Sequence, residues 1–199
     1  MQDDTFPPVI FFLLLSNALI FAAGQFIPQF GLIAQLKFSL FSVPSLFEIW
    51  QPVTYAFLHA NPTHLAFNMF ALWMFGRTME VVWGSRRFLI YYLVCVLGAA
   101  AAQLTLAAIT GDPSRTVGAS GGVYGVLLAF GMTFPNRRIL LLFPPIPMPA
   151  RYLVVMFGIV ELYLGFTASN SNVAHFAHLG GMVFGFFLIR LWRSQRRIR

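Results

Sequence analysis

The sequence predicts an all-α integral membrane protein with six transmembrane helices and with both termini in the cytoplasm. The first supporting observation is composition: 58% of the 199 residues are hydrophobic and 10% are charged, whereas soluble domains contain about 25% charged residues. The second is a series of six apolar stretches, each close to the ~20 residues that a bilayer-spanning helix needs. The third is an uneven distribution of Arg and Lys among the connections between these stretches.

The basic character of the chain does not indicate nucleic acid binding. The formal net charge is +7, but the basic residues lie between apolar runs or near the C-terminal end. In a membrane protein such residues set the topology and contact lipid headgroups, so the lipid bilayer is the expected partner. The single cysteine, Cys95, lies within an apolar stretch, which excludes a disulfide framework.

The predicted spans form one membrane domain, without an internal repeat or a second domain. They cover residues 8–27, 52–75, 88–110, 118–134, 152–167 and 174–192. The connection after the first span contains Lys37, Pro44 and Glu48 and is too interrupted to cross the bilayer. Between the fourth and fifth spans, the proline-rich segment 144–149 cannot form a helix interior and predicts a rigid turn.

The distribution of Lys and Arg predicts the orientation of these spans. With a cytoplasmic N-terminus, the segments outside the cell contain only Lys37 and Arg115. The cytoplasmic segments contain Arg77, Arg86, Arg87, Arg137, Arg138, Arg151, Arg190, Arg193, Arg196, Arg197 and Arg199. Because Lys and Arg are enriched on the cytoplasmic side, this bias predicts an even number of spans and two cytoplasmic termini.

The orientation places the polar residues of three spans at a similar depth. The second, fourth and sixth spans all run from outside to inside. His59 and His64 lie in the first half of the second span, Ser120 begins the fourth, and His175 and His178 begin the sixth. These residues are therefore expected near the outer leaflet, where they could be neighbours.

A run of small residues surrounds a serine at the start of the fourth span. Residues 118–125 read Gly-Ala-Ser-Gly-Gly-Val-Tyr-Gly. Ser120 is either a helix N-cap or a nucleophile that the adjacent glycines leave accessible. Such short strings also occur in tight helix packing, so the motif alone does not decide between these two interpretations.

His178 begins a matching series in the sixth span. His178, Gly181 and Gly185 are separated by three and four residues, and the glycines allow another helix to approach the face that carries the imidazole. Contact with the Ser120 face would bring the hydroxyl within hydrogen-bond reach of the imidazole, as activation of a nucleophile requires. The alternative is an ordinary helix contact in which the two polar side chains join the helices.

His64 and Asn68 share one helix face because four residues separate them. Both side chains donate hydrogen bonds, which suits the stabilisation of a developing oxyanion. Alternatively, they satisfy each other or the backbone of a loop. The roles of His59 and His175 are left open.

Two glutamates lie within or beside the spans. Glu80 is interpreted as structural, as a group that bonds a helix end. Glu161 lies inside the fifth span and is not expected level with Ser120. With no carboxylate placed beside His178, the expectation is a Ser–His dyad, with Tyr124 as a packing support for the imidazole.

Together these motifs resemble those of the rhomboid intramembrane proteases in their six-span core form. The resemblance includes the Gly118–Gly121 motif, His64 with Asn68, and His178 followed by Gly181. It implies a rhomboid-like helical bundle that needs no cofactor and no metal. It also implies Ser120 as nucleophile, His178 as general base and acid, an oxyanion site formed by His64, Asn68 and the Ser120 N–H, and stacking of Tyr124 on His178.

The resemblance also concerns two connections. Segment 31–50 corresponds to the membrane-embedded first loop of the family, and segment 168–173 to a flexible cap over the site. Gln51 follows Trp50 where some bacterial members have Arg, so the anchoring of the first loop is expected to differ.

The implied activity is hydrolysis of peptide bonds in or near transmembrane helices of other membrane proteins, close to the outer face. A bacterial plasma membrane is expected, since no organelle-targeting segment is visible. One alternative is an inactive rhomboid-like protein that only binds membrane helices. A less favoured alternative is a metal or haem protein in which His175 and His178, three residues apart, share a metal; no carboxylate or cysteine is expected to join them.

Overall fold

The structure is a computed structural model that describes residues 7–111, 113–140, 145–167 and 174–197. Most of these residues are helical. The longer ones are α1 (Pro8–Phe26), α2 (Pro28–Phe38), α4 (Pro62–Ala71), α6 (Ser85–Thr110), α7 (Ser120–Thr133), α8 (Ala150–Thr167) and α9 (His175–Arg197). The shorter ones are α3 (Gln51–Thr54) with a 3-10 turn (Tyr55–Phe57), and a π-helical turn (Leu72–Gly76) that leads into α5 (Arg77–Trp83). The all-α membrane fold is thus confirmed.

Two short strand pairs accompany the helices. Strand β1 (Leu40–Phe41) pairs antiparallel with β2 (Arg115–Thr116). This pair joins the first loop to the segment just before Ser120. Strand β3 (Arg138–Leu140) pairs with β4 (Pro147–Pro149), where the sequence predicted a rigid turn.

Four described helices are long and apolar enough to cross a membrane by themselves. They are α1, α6, α8 and α9, and α7 is a shorter apolar helix. The second predicted span corresponds in sequence to α4 and α5, which continue into each other through the π-helical turn. A multi-pass membrane protein follows from these helices; the number of six spans and the cytoplasmic termini stay predictions.

The second predicted span begins later than the sequence suggested. It was expected over 52–75, but the helix begins at Pro62 and continues to Trp83. The side chain of Asn61 accepts a hydrogen bond from the His64 N–H and caps the helix, and a proline is well tolerated in the first turn. This cap places His59 in the preceding loop and His64 in the first turn of α4.

The centre of the bundle is formed by α6, α7 and α9. The contact of α7 with α9 depends on glycine: a Cβ at Gly181 would collide with the main-chain oxygen of Gly121. The Tyr91 hydroxyl of α6 donates to the Gly125 carbonyl of α7 at 2.8 Å. Because the helix backbones approach so closely, the relative position of α7 and α9 is fixed, and with it the position of the side chains at their first turns.

The first loop is anchored by Gln51, at the position that departs from the family pattern. The side chain is fully buried. Its Oε1 accepts from the Phe41 N–H at 3.2 Å and its Nε2 donates to the Leu46 carbonyl at 3.0 Å. The neighbouring Trp50 indole donates to the Lys37 carbonyl at 2.9 Å. A neutral amide thus bonds loop backbone on two sides.

Glu80 bonds the start of α1, as the sequence indicated. Its carboxylate accepts from the main-chain N–H groups of Val9 at 2.9 Å and Ile10 at 2.8 Å. The Ser85 hydroxyl donates to the same carboxylate at 2.7 Å. These bonds satisfy N–H groups that have no partner within the helix, and they tie α1 to the α5–α6 corner.

Candidate active site

The Ser120 hydroxyl lies against the imidazole of His178. Its Oγ is 2.7 Å from Nε2 of His178, and Ser120 is half-buried whereas His178 is 8% exposed. Ser120 is the first residue of α7 and Ala119 is the N-cap, with no side-chain capping bond. The N-cap interpretation of Ser120 is therefore wrong. The hydroxyl of the small-residue motif points at another helix rather than at its own backbone.

Tyr124 supports the imidazole from one face. Its ring stacks on that of His178 with centroids 4.4 Å apart and planes inclined by 5°. Four residues separate Ser120 and Tyr124 on α7, so both side chains lie on the helix face toward α9. Stacking restricts rotation of the imidazole and keeps Nε2 directed at the hydroxyl.

Glu161 lies at this site, contrary to the expectation from sequence. Its side chain is 5% exposed, and its Oε2 is 2.9 Å from Nδ1 of His178. The same oxygen is hydrogen-bonded to Nδ1 of His175 at 2.7 Å. The other oxygen, Oε1, accepts a short hydrogen bond from the Tyr124 hydroxyl. One buried carboxylate therefore contacts three aromatic side chains around Ser120.

The two contacts of Oε2 differ in geometry. The His175 contact is an aligned hydrogen bond, whereas Nδ1 of His178 has no hydrogen-bond partner among the described residues despite its short distance to Oε2. The carboxylate therefore acts on His178 as a close negative charge. This charge favours the tautomer with the proton on Nδ1, and in that tautomer Nε2 accepts from the Ser120 hydroxyl.

A signal for Glu161 was present in the sequence. Glu161 lies six residues before the end of α8, and His178 lies three residues after the start of α9. At 1.5 Å per residue, Glu161 lies about 9 Å from the end of α8 and His178 about 4.5 Å from the start of α9. The same connection joins these two helix ends. An ionisable side chain within a span is in addition a candidate functional residue.

His64 reaches the other side of Ser120. A Cβ at Gly118 would lie 2.8 Å from Nε2 of His64 and 3.6 Å from Oγ of Ser120, so the imidazole and the hydroxyl both border this glycine. Gly118 has φ +126°, a conformation that favours glycine. It brings the chain close to His64 without a side chain between them.

Asn68 lies one turn below His64 on α4. Its Nδ2 donates to the His64 carbonyl at 3.0 Å, and the side chain is 6% exposed. Asn68 therefore bonds backbone, which was one of the two alternatives, and this bond uses one of its two amide hydrogens. No second hydrogen bond of Nδ2 is seen among the described residues.

His59 packs against His64 rather than against Ser120. The two rings are in edge contact with centroids 5.0 Å apart. His59 is 4% exposed, and neither ring nitrogen has a hydrogen-bond partner among the described residues. His175 belongs to the Glu161 contacts. The predicted cap, residues 168–173, lies outside the described residues.

Comparison with known proteins shows which family the chain belongs to. The family model described as the Rhomboid domain matches residues 46–195. Rhomboid protease GluP of Bacillus subtilis is 34% identical over 141 residues, which cover 70% of this chain and 25% of that protein. RHOMBOID-like protein 12, mitochondrial, of Arabidopsis thaliana is 32% identical over 187 residues, covering 87% of this chain and 55% of that protein.

A further relative comes from yeast. Rhomboid protein 1, mitochondrial, of Saccharomyces cerevisiae is 29% identical over 153 residues, covering 72% of this chain and 43% of that protein. The chain thus spans between a quarter and just over half of the length of these three relatives. Since the family model covers α4 to α9 and hence every residue of the site, the chain belongs to the rhomboid family.

Proposed function

We propose that this protein is an intramembrane serine endopeptidase that cleaves transmembrane segments of other membrane proteins near the outer face. The observation that carries the proposal is the 2.7 Å contact between Oγ of Ser120 and Nε2 of His178. A hydroxyl becomes an effective nucleophile when a positioned base takes its proton. The name of the Bacillus subtilis relative, a rhomboid protease, supports the same reaction class.

The proposed first step is acylation of Ser120. Oγ attacks the scissile carbonyl carbon while its proton moves to Nε2 of His178, and the carbonyl electron pair moves onto the oxygen. The Ser120 N–H, His64 and Asn68 are proposed to donate hydrogen bonds to this oxyanion. When the intermediate collapses, the C–N bond breaks and His178 returns the proton to the leaving amine.

The second step is hydrolysis of the acyl-enzyme. Water attacks the ester carbonyl, His178 takes its proton, and the proton then passes to the departing Oγ of Ser120. Glu161 is not a reacting group in this scheme. It is proposed as a positioning residue, since its negative charge beside Nδ1 stabilises the imidazolium that forms in both steps.

The proposed substrate is a membrane helix that unwinds easily. The nucleophile lies at the start of α7, among helices that leave no room for an intact substrate helix between α7 and α9. A substrate must therefore present an extended backbone, and segments with glycine or other weak helix formers unwind at the lowest cost. We place the protein in a bacterial plasma membrane, with the site toward the extracytoplasmic side.

The test is cleavage of a single-span substrate that carries small residues near its outer end, in detergent and in liposomes. Wild type and Ser194→Ala, an exposed serine in the last turns of α9, are expected to cleave. Ser120→Ala and His178→Ala are expected to be inactive, and a chelator is expected not to abolish cleavage. Cleavage by Ser120→Ala would overturn the mechanism. Binding of helices by folded wild type without any cleavage would favour the inactive rhomboid-like alternative.

A further inference from the structure

Two histidines and one carboxylate converge beside Ser120 in a pattern that the proposed peptidase chemistry does not require. Glu161, His175 and His178 form this group, which we call the Glu161 cluster. Their ligand-type atoms, one from each side chain, all lie within 4.8 Å of one another. The hydrolysis scheme uses His178 and the charge of Glu161. It gives no role to His175, although Nδ1 of His175 is hydrogen-bonded to Oε2 of Glu161 at 2.7 Å.

The donor set is one that transition metals bind. Two imidazole nitrogens and one glutamate oxygen form the protein part of many zinc sites, in which a fourth position is left for water or another ligand. His175 and His178 are three residues apart on α9, so one helix presents both nitrogens on the same face. The two rings are 6.3 Å apart between centroids, which leaves space between their facing nitrogens.

The distances require little adjustment for an ion. Ligands at about 2.0–2.1 Å from a tetrahedral zinc ion lie roughly 3.3 Å apart. Oε2 of Glu161 is 2.7 Å from one Nδ1 and 2.9 Å from the other. The two contacts of Oε2 would therefore lengthen by about half an ångström. The two histidine nitrogens, which lie within 4.8 Å of each other, would take up a similar separation through small rotations of the side chains.

Two further features favour an ion. Nδ1 of His178, on a side chain that is nine-tenths buried, has no aligned hydrogen-bond partner among the described residues. A metal ion would displace the proton of this nitrogen and bind it. The carboxylate of Glu161 is buried, and among the described residues its ion pairs are with His175 and His178. Burial of an uncompensated charge is costly, and a divalent cation would compensate it.

A supporting contact comes from Tyr124. Its hydroxyl donates to Oε1 of Glu161 and would leave Oε2 for the metal. Metal-binding carboxylates are commonly oriented by such a hydrogen bond from a second residue. Ser120 lies at the edge of the cluster and is only half-buried, so the cluster is not fully enclosed on this side.

We propose that Glu161, His175 and His178 bind a zinc ion, and that the zinc-bound protein does not cleave substrate. The binding half is independent of the proposed function, and the inhibition half depends on it. Zinc would take the lone pair of Nδ1 of His178, so the ring proton would lie on Nε2. Nε2 would then donate to Oγ of Ser120 instead of accepting its proton, and the nucleophile could not be activated.

The binding half is tested in protein that carries Ser120→Ala, which keeps the three ligands and removes turnover. The metal-free protein in detergent is titrated with Co²⁺ as a spectroscopic probe and then with Zn²⁺. One equivalent of Co²⁺ is expected to give the visible absorption band of a tetrahedral site, and Zn²⁺ is expected to abolish this band. Zn²⁺ is also expected to raise the melting temperature, since a ligand that binds only the folded state stabilises it.

Variants in the same background assign the ligands. His175→Ala and Glu161→Gln are expected to lose the band and to weaken Zn²⁺ binding by at least the 10- to 100-fold typical of a lost supporting residue. His59→Ala removes a buried histidine outside the cluster and is expected to bind as the background does. Absence of both the Co²⁺ band and the Zn²⁺-dependent melting shift in folded protein would overturn the proposal. Loss of binding in His59→Ala with retention in His175→Ala would overturn the assigned site.

The inhibition half is tested with active protein. Zn²⁺ is expected to stop cleavage by wild type, and a chelator is expected to restore it. Cleavage by His175→Asn, measured relative to its own rate without metal, is expected to be much less inhibited by Zn²⁺. Stoichiometric binding without inhibition would overturn this half. A wild type that binds zinc but never cleaves would instead contradict the proposed peptidase function, so the two failures are distinguishable.

Discussion

Oε2 of Glu161 lies 2.9 Å from Nδ1 of His178, and Oγ of Ser120 lies 2.7 Å from Nε2 of the same ring. The imidazole is therefore placed between a carboxylate and a hydroxyl, with Tyr124 stacked on its face. Three different helices supply these groups: α7, α8 and α9. A carboxylate thus lies beside the imidazole, where the sequence led us to expect none.

Glu161→Gln is expected to lower kcat on the order of 100-fold with a small change in KM, because the amide cannot stabilise the imidazolium as a carboxylate does. Glu48→Gln changes an exposed carboxylate in the first loop, which pairs with Lys37, and serves as the control. Steady-state kinetics over a range of pH check this prediction. Identical kcat and pH profiles for Glu161→Gln and wild type would exclude the positioning role.

Asn68→Ala is expected to lower kcat by about 100- to 1000-fold, as loss of one oxyanion donor does. The physical reason is the second amide hydrogen of Asn68, which remains after the bond to the His64 carbonyl. The control is Asn136→Ala, an exposed asparagine beyond the far end of α7. Kinetics and melting temperature are measured together. A lower melting temperature with unchanged kcat would show that Asn68 serves only the backbone of α4.

Gly181→Ala is expected to destabilise the protein by about 1–3 kcal/mol, because an added Cβ would collide with the Gly121 backbone of α7. Backbone cannot rotate away as a side chain can, so the two helices must separate. Gly158→Ala is the matched control, since the nearest atom to its Cβ would be Cε of Met182 at 3.7 Å. Thermal unfolding in detergent compares the two variants. Equal stability of both would contradict the close approach of α7 and α9.

Glu80→Ala is expected to cost about 2 kcal/mol of stability, because it leaves the N–H groups of Val9 and Ile10 without their acceptor at the start of α1. Glu48→Ala, in the first loop, is the control and is expected to change stability by less than about 1 kcal/mol. Thermal unfolding checks the difference. A Glu80→Ala protein as stable as the control would mean that α1 is held by apolar packing alone.

Much of the fold could be predicted from local sequence, because a helix that crosses the membrane must be apolar over its whole length. Apolar length predicts helices, and the bounds of α1, α8 and α9 agree with the predicted spans within a few residues. The helix predicted from residue 52 shows the limit of this approach. Apolar content could not distinguish loop from helix there, and the Asn61 cap and Pro62 decide the start of α4.

The sequence by itself determined the membrane class and the resemblance to the family, because these depend on composition and on motifs within single helices. It predicted the pairing of Ser120 with His178 as one of two alternatives. The sequence marks Glu161 as an ionisable residue within a span, but only the tertiary structure shows that it lies beside His178. The depth of a residue in one helix relative to another depends on how the helices are offset along the bundle, and no local pattern encodes that offset. The same offset creates the Glu161 cluster, in which the side chains of α8 and α9 meet around a single carboxylate oxygen.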